Sequence, residues 1–230
     1  MMCQLKTQDI GKMEYSAVLA LQRECQAGVI SRRGEPKPDP FHLILVEHEP
    51  PVITVSRRKG AGDHLLATKS QLIDAGVDVC PTDRGGDITY HGPGQLVGYP
   101  IVDLNELSLR LHSYMRFLEQ VIIDSLAVFG IEGQRDHCAT GVWVDEEKIC
   151  AMGVRVSRWV TMHGFALNVT PDLSHFDLIV PCGLSGRRIT SIKKILGQAC
   201  PSMDEVKEVV GNELQNAIAI QAQVQKEPRQ

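Results

Sequence analysis

Glycine, proline and a few polar side chains make up the segment Arg84-Gly85-Gly86-Asp87-Ile88-Thr89-Tyr90-His91-Gly92-Pro93-Gly94-Gln95. Its four glycines allow the backbone to approach a bound molecule closely. Arg84 offers a fixed positive charge, and the His91 imidazole can donate or accept a hydrogen bond. An apolar run over 96–102 follows at once and predicts a buried strand. We interpret the segment as a ligand-binding loop, with a plain hairpin turn at Gly92-Pro93-Gly94 as the alternative.

The composition favours one domain and disfavours several classes of partner. The 230 residues suit a single α/β domain over 1–230, with a polar tail from about 221. The net charge of −4 argues against nucleic acid as a partner. No apolar run reaches the about 20 residues that span a bilayer, and the first residues lack a signal-peptide core. We therefore expect a cytoplasmic protein that binds no membrane, or a mitochondrial one if the source is eukaryotic.

The seven cysteines form no C-x-x-C pair, which argues against a disulfide framework and a structural zinc site. The G-x-G-x-x-G and G-x-x-x-x-G-K-[ST] nucleotide motifs are absent around the glycine-rich segment. Each cysteine is by default a small buried hydrophobe. Cys182 stands apart, because Pro181 and Gly183 hold it in a rigid turn within the irregular stretch 171–188.

Alternating helical and strand patterns predict a mixed α/β fold. The helices are predicted over 13–30, 69–75, 109–129 and from 202 onward, where Ser202 and Glu205 form a capping box. The strands are predicted over 41–46, 52–55, 77–80, 96–102, 142–144, 148–156 and 165–169. Residues 31–40, with three prolines, predict an exposed loop.

Charged residues outside the loop leave open interpretations. Arg57-Arg58-Lys59 is either a solvated turn or a patch that attracts an acidic partner. Lys148 is either an ordinary charge after the acidic turn 145–147 or a functional ammonium group. His163, before Gly164, fits a residue that bonds to backbone at the start of a strand, and we assign it no catalytic role.

Three sequence blocks together resemble the octanoyltransferases of lipoate biosynthesis, the lipoyl(octanoyl) transferase family. The blocks are Arg84-Gly85-Gly86 with Thr89–Gln95; Lys148-Ile149-Cys150-Ala151-Met152-Gly153-Val154-Arg155 with His163-Gly164-Phe165-Ala166-Leu167-Asn168; and Pro181-Cys182-Gly183. The resemblance implies a single domain with a mixed β-sheet and packing helices, similar to the biotin and lipoate protein ligase catalytic module. Cys150 is often alanine in the family, and the loop 31–40 lies outside its pattern.

The resemblance also implies an activity and a set of site residues. It implies transfer of an octanoyl group from acyl carrier protein to a lysine of lipoyl domains, in 2-oxoacid dehydrogenase complexes and the glycine cleavage H protein. Cys182 matches the cysteine that carries the acyl group as a thioester, and Lys148 the lysine beside it. The segments matching the acyl-binding site are Arg84, Gly85, Gly86, Asp87, Ile88, Thr89, Tyr90 and His91; Ala151, Met152 and Gly153; and Gly164, Phe165 and Ala166.

The chemistry of these residue types agrees with that role. A free thiol is mostly protonated at neutral pH, and a neighbouring ammonium favours the thiolate. A thioester already holds the acyl group activated, so we expect no nucleotide, cofactor or metal. The alternatives are an ATP-dependent lipoate or biotin ligase, a cysteine hydrolase or thioesterase, and a non-catalytic acyl-binding module. In the ligase and in the binding module, Cys182 is a packing thiol. In the hydrolase or thioesterase, it transfers its acyl group to water.

Overall fold

A seven-stranded mixed sheet forms the centre of the fold, in the order β1-β2-β6-β10-β9-β8-β7. The computed structural model describes residues 5–35, 40–137, 139–180 and 187–224. β1 and β2 pair in parallel, and the other neighbours pair antiparallel. The strands are β1 (Leu5–Met13), β2 (Phe41–His48), β6 (Gln95–Ile101), β7 (Gln134–Arg135), β8 (Val142–Val144), β9 (Glu147–Ser157) and β10 (Val160–Asn168).

A smaller sheet lies beside it, in the order β4-β3-β5. Its strands are β3 (Val52–Val55), β4 (Asp78–Pro81) and β5 (Ile88–His91). β3 pairs in parallel with β4 and antiparallel with β5. The predicted continuous loop over 84–95 is therefore wrong in one respect, because its middle four residues form β5. β5 is buried along its whole length, so the glycine-rich segment is a turn, a strand and a second turn.

Helices cover both faces of the large sheet, which explains why its central strands are apolar on both sides. On one face, Val18 of the first helix packs with Ile44 of β2. On the other face, Leu118 and Leu214 of the third and fifth helices pack with Leu43. The helices are α1 (Tyr15–Ser31), α2 (Lys69–Asp74), α3 (Leu111–Val128), α4 (Ile192–Leu196) and α5 (Met203–Val224). Among the described residues, no helix has the length and apolarity needed to cross a bilayer.

The mixed α/β class and the long helices are confirmed, and the capping box at Ser202 is present, with Glu205 N–H donating to the serine hydroxyl. β1 was not predicted, because it is a polar edge strand whose register shifts between Asp9 and Lys12. The start of the predicted loop 31–40 is exposed as far as residue 35, and Arg33 is anchored by an ion pair with Asp103. Residues 36–39 lie outside the described part of the chain.

β10 begins five residues earlier than predicted, so His163 lies inside this strand rather than at its start. Its backbone φ is +59°, a value that L-residues rarely adopt. The backbone N–H of His163 donates to the buried Gln22 side chain from α1. A contact from a distant helix therefore stabilises this part of the strand, and local sequence carries no signal for it.

Two glycine-to-alanine variants test how closely the backbones pack. A Cβ at Gly164 would lie 2.2 Å from the carbonyl oxygen of Gly98, whereas one at Gly211, inside α5, would lie 3.9 Å from Thr7 Cγ2. We expect Gly164→Ala to lower the free energy of unfolding by about 1–3 kcal/mol. We expect Gly211→Ala to raise it by about 0.5–1 kcal/mol, because alanine is the better helix former. Urea unfolding measures both, and equal stabilities would contradict this packing.

Candidate functional site

The turn that carries Arg84 packs directly on β9. The backbone N–H of Gly85 donates to the carbonyl of Val154 at 2.9 Å. A Cβ at Gly153 would lie 2.6 Å from the carbonyl oxygen of Gly85, so a side chain there would force the two backbones apart. The Arg84 guanidinium donates to the Thr54 hydroxyl and carbonyl of β3, each at 3.0 Å. Glycine on both sides thus allows the small sheet to close over the large one.

A cavity of about 500 Å³ lies between the two sheets. Its walls come from all three predicted binding segments and from Lys148. Among the predicted residues, the cavity is lined by Arg84, Gly85, Gly86, Asp87, Ile88, Thr89, His91, Lys148, Ala151, Met152, Gly153, Gly164, Phe165 and Ala166. Tyr90 is not among the lining residues, since its ring packs on Phe176 and its hydroxyl is 2.8 Å from His175 Nδ1. Its predicted role in binding stays a prediction.

Lys148 is buried rather than solvated, with 4% of its surface exposed. Its ammonium nitrogen lies 4.7 Å from the centre of the Trp143 ring, a cation–π contact. The Arg187 guanidinium lies 4.6 Å from the same ring and pairs with Asp136. The side chain thus has a fixed position, which the interpretation as an ordinary charge in an acidic turn does not account for.

The backbone of Lys148 is bonded to the chain that follows residues 181–186. Its N–H donates to the carbonyl of Arg188, and its carbonyl accepts from Thr190, both at 2.9 Å. On the other side of that gap, the N–H of Val180 donates to the carbonyl of His64 at 2.8 Å. His64 and Lys148 both line the cavity. Cys182 itself lies outside the described residues, as do Cys3 and Cys138.

The described cysteines give no alternative nucleophile at the cavity. Burial raises the pKa of Cys150, which is fully buried, and those of Cys80 and Cys200. Cys25 is partly buried, beside the hydrophobic cluster under α1. No cysteine is among the described residues that line the cavity. These four therefore fit the packing role that the sequence predicts for a typical cysteine.

A chain of buried hydrogen bonds fixes the tautomer of His91. Asn168 donates its side-chain N–H to the carbonyl of Thr190, so its oxygen accepts from Gln95. The Gln95 oxygen in turn faces His91 Nδ1 at 2.8 Å and accepts the proton there. Nε2 of a neutral His91 therefore carries a lone pair. Burial, together with the nearby His48 and Arg84, holds the pKa of His91 well below its ordinary value.

Two further aromatic pairs adjoin His91. His48 donates from Nδ1 to the carbonyl of Met13, so its Nε2 accepts the Tyr99 hydroxyl proton at 2.7 Å. Burial lowers the pKa of His48 to about 4. Tyr15 stacks on His91, with ring centres 6.5 Å apart, and its hydroxyl bonds to Thr82. This end of the cavity is therefore polar but uncharged at neutral pH, apart from Arg84.

His163 is held by an acidic partner. Its Nε2 lies 2.8 Å from Asp83, which also accepts from Arg155 at 2.8 Å. Burial lowers the pKa of His163, although the bond to Asp83 opposes this. Burial alone would raise the pKa of Asp83, but His163 and Arg155 outweigh it and lower that pKa. The pair is thus a carboxylate with a neutral imidazole that donates to it.

Several cavity residues were not predicted. Tyr15 and Leu111 come from helices that the sequence assigns to packing, and Tyr99 from a strand interpreted as core. His64 lies in a stretch of the sequence that contains no recognisable motif. These residues converge through tertiary packing, and no local pattern marks them. The full set is Tyr15, Arg58, His64, Val97, Tyr99, Leu111, Met115, Ala139, Thr140, Val154 and His163.

Sequence comparison places the chain in a known family. The model of the lipoyl protein ligase A/B catalytic domain matches residues 14–215. An octanoyltransferase from Solibacter usitatus is 50% identical over 199 residues, which cover 86% of each chain. The chain belongs to the octanoyltransferase family. It is therefore an acyltransferase. The octanoyltransferase of Geobacter metallireducens is 44% identical over 88% of this chain and 89% of its own.

The length of this family varies, and so does the chemistry of proteins with the same fold. The chain spans only 40% of the Porphyromonas gingivalis octanoyltransferase, to which it is 46% identical. A solved lipoate-protein ligase A bound with ATP superposes with a TM-score of 0.69 over 95% of this chain and 86% of the ligase, at 15% identity. Biotin protein ligase from Aquifex aeolicus superposes with a TM-score of 0.53 over 97% and 72%, at 12% identity. These likenesses confirm the predicted ligase-like fold.

The buried imidazole of His48 predicts a loss of stability in acid. Its pKa is about 4 in the folded chain and 6.5 ordinarily, so the unfolded chain binds more protons between these values. Its contribution to the free energy of unfolding therefore falls by roughly 2 kcal/mol from pH 7 to pH 5. His48→Gln keeps a donor and an acceptor but does not titrate. Urea unfolding at both pH values should show a smaller fall in this variant, and an equal fall would contradict the assignment.

Proposed function

We propose that this chain transfers an octanoyl group from octanoyl-acyl carrier protein to a lysine of a lipoyl domain, through a thioester on Cys182. The observation that carries the proposal is the buried ammonium of Lys148, held on Trp143 at the wall of a glycine-lined cavity. Its backbone is bonded to Arg188, six residues after Cys182 in the sequence. Membership of the octanoyltransferase family supports octanoyl as the group that is transferred. The position of Lys148 supports its proposed pairing with the Cys182 thiol.

The acyl chain occupies the cavity in this proposal. Ala151, Met152, Phe165 and Ala166 offer apolar surface, and the glycines let that chain lie close to the backbone. Burial lowers the pKa of His91 and that of His48, so these buried rings stay neutral and add no charge to an apolar slot. Arg84 supplies the positive charge of this segment.

The reaction proceeds in two balanced steps. First, the Cys182 thiolate attacks the thioester carbonyl of the donor; the new S–C bond forms, the donor's C–S bond breaks, and the carrier leaves as a thiolate that takes up the proton Cys182 had released. Second, the acceptor amine attacks the enzyme thioester; the C–N bond forms, the C–S bond breaks, and one proton passes from nitrogen to sulfur. A charged Lys148 stabilises the thiolate in both steps. The acyl group stays activated throughout, so neither ATP nor a metal enters the reaction.

Three variants test the assigned roles. Cys182→Ala should abolish the acyl-enzyme and the transfer, because the acyl group has no carrier. Lys148→Ala should slow thioester formation by about 10²-fold at neutral pH, since the thiol loses its neighbouring ammonium, and higher pH should partly restore it. Cys80→Ala, a cysteine away from the cavity, should behave like the parent.

Intact-protein mass spectrometry after mixing with octanoyl-acyl carrier protein measures the first step, and modification of an apo lipoyl domain without ATP measures the second. A folded Cys182→Ala enzyme that transfers at the parental rate would remove the nucleophile from the proposal. Modification from free octanoate plus ATP, with no response to the thioester donor, would establish a ligase instead. Release of free octanoate with an unmodified lipoyl domain would establish a hydrolase.

The cationic turn beside the cavity is the proposed docking patch for the acidic carrier protein. Arg57, Arg58 and Lys59 are all exposed, but Arg58 also lies 3.5 Å from the Asp87 carboxylate and lines the cavity. Arg187 and Arg188 pair with Asp136 and Glu147, so their charges are partly compensated. The free approach of a carrier is therefore steered mainly by Arg57 and Lys59.

Charge reversal at those two positions tests the patch. Arg57→Glu with Lys59→Glu should raise the KM for octanoyl-acyl carrier protein about tenfold at low salt, because opposite charges attract before contact. The difference should shrink as ionic strength rises. The matched control reverses the exposed lysines Lys6 and Lys69, which do not line the cavity. An unchanged KM at low salt would leave the turn as a solvated one.

A further inference from the structure

We propose that His64, oriented by Asp87, accepts the proton that the acceptor amine releases when it attacks the acyl group. This proposal rests on the proposed function. It concerns the second step alone, and it adds a catalytic residue to the pair Cys182 and Lys148. Neither the glycine-rich segment nor the strand motifs include His64.

The contacts of His64 fix its ring. His64 ends a 3₁₀ turn over Ala61–His64, and its Nδ1 lies 2.6 Å from Asp87 Oδ1. Asp87 is 3% exposed; the same oxygen accepts the backbone N–H of Ile88 at 2.9 Å, and its other oxygen faces Arg58. A carboxylate with these donors only accepts, so Nδ1 of His64 carries the proton. Nε2 of the neutral ring is then left with a lone pair, as in a His–Asp pair that serves as a base.

His64 is exposed enough to contact a lysine that a lipoyl domain carries into the cavity. Its side chain is 33% exposed and lines the cavity, so a lysine that enters from a lipoyl domain can reach it. Its carbonyl binds Val180, two residues before Cys182 in the sequence, and Leu65 forms a bridge with Ile179. The turn is thereby attached to the chain that leads to the nucleophile.

Other groups in the described wall of the cavity are poorer acceptors for this proton. As an ammonium, Lys148 has three donors and no lone pair. His91 and His163 are almost fully buried, and burial lowers the pKa of each. Among the cavity histidines that the structure describes, His64 is the most exposed.

The step balances with His64 as a shuttle. The amine nitrogen forms its bond to the acyl carbon and passes one proton to Nε2 of His64. The C–S bond then breaks, and the proton goes to the leaving thiolate, which regenerates the Cys182 thiol. No oxidant, reductant or further reactant is needed. Asp87 is a positioning residue in this step, because it sets the tautomer of His64 without touching the substrate.

Separate measurement of the two half-reactions tests the proposal. For His64→Gln, acyl-enzyme formation from octanoyl-acyl carrier protein should stay within twofold of the parent. Transfer from that acyl-enzyme to an apo lipoyl domain should fall about 10²-fold in single turnover. His112→Gln, an exposed histidine of α3, is the matched control and should leave both rates unchanged.

Asp87→Asn should slow the transfer step about tenfold, and more than it slows acyl-enzyme formation, because an amide can stabilise the wrong tautomer of His64. Parental transfer by a folded His64→Gln acyl-enzyme would overturn the proposal. An equal slowing of acyl-enzyme formation would also overturn it, since His64 would then act on both half-reactions and not on the acceptor amine alone. Failure of the parent itself to form an acyl-enzyme would instead contradict the proposed function, so the two failures are distinguishable.

Discussion

The contact of two glycine backbones, Gly85 against Gly153, sets the geometry of the rest of the cavity. The carbonyl oxygen of Gly85 lies 2.6 Å from where a Cβ at Gly153 would stand, and Gly85 N–H donates to the carbonyl of Val154, the next residue of β9. This contact fixes the distance between the small sheet and the large one. Arg84 is thereby brought within hydrogen-bond distance of Thr54, and His91 lines the cavity together with residues of β9 and β10. Conformational freedom matters less here than the space a side chain would take.

Desolvation on burial determines which side chains around this cavity carry a charge. Three buried histidines line or adjoin it, and burial lowers the pKa of each, so their rings are neutral at physiological pH. Each ring is then a directed dipole with one donor and one acceptor, held by a carbonyl, an amide or a carboxylate. A polar wall of this kind specifies shape without the cost of burying charge. Charge stays at Arg84, Lys148 and the Asp83 and Asp87 pairs.

Local sequence predicts much of this architecture, because helices and buried strands leave periodic patterns. The amphipathic stripe of α3 and the apolar run of β6 are examples. β1 escaped prediction because an edge strand needs little apolar surface, and its pairing partner is remote in sequence. β5 was hidden by the glycines around it, although its pairing with β3 decides its structure. His64 and Tyr15 reach the cavity only through tertiary packing, which no spacing rule encodes.

The fold by itself does not choose between acyl transfer and ATP-dependent ligation, since a ligase bound with ATP shares it. The choice lies in a few side chains and in how the chain is anchored beside them. The backbone N–H of Val180 donates to His64, and the carbonyl of Arg188 accepts from Lys148. The described residues on either side of Cys182 are therefore each bonded to an ionisable residue of the cavity wall. In the proposed mechanism, His64 offers a lone pair and Lys148 an ammonium. In the proposed thioester mechanism these two groups serve as proton acceptor and stabilising cation, whereas adenylation requires neither role.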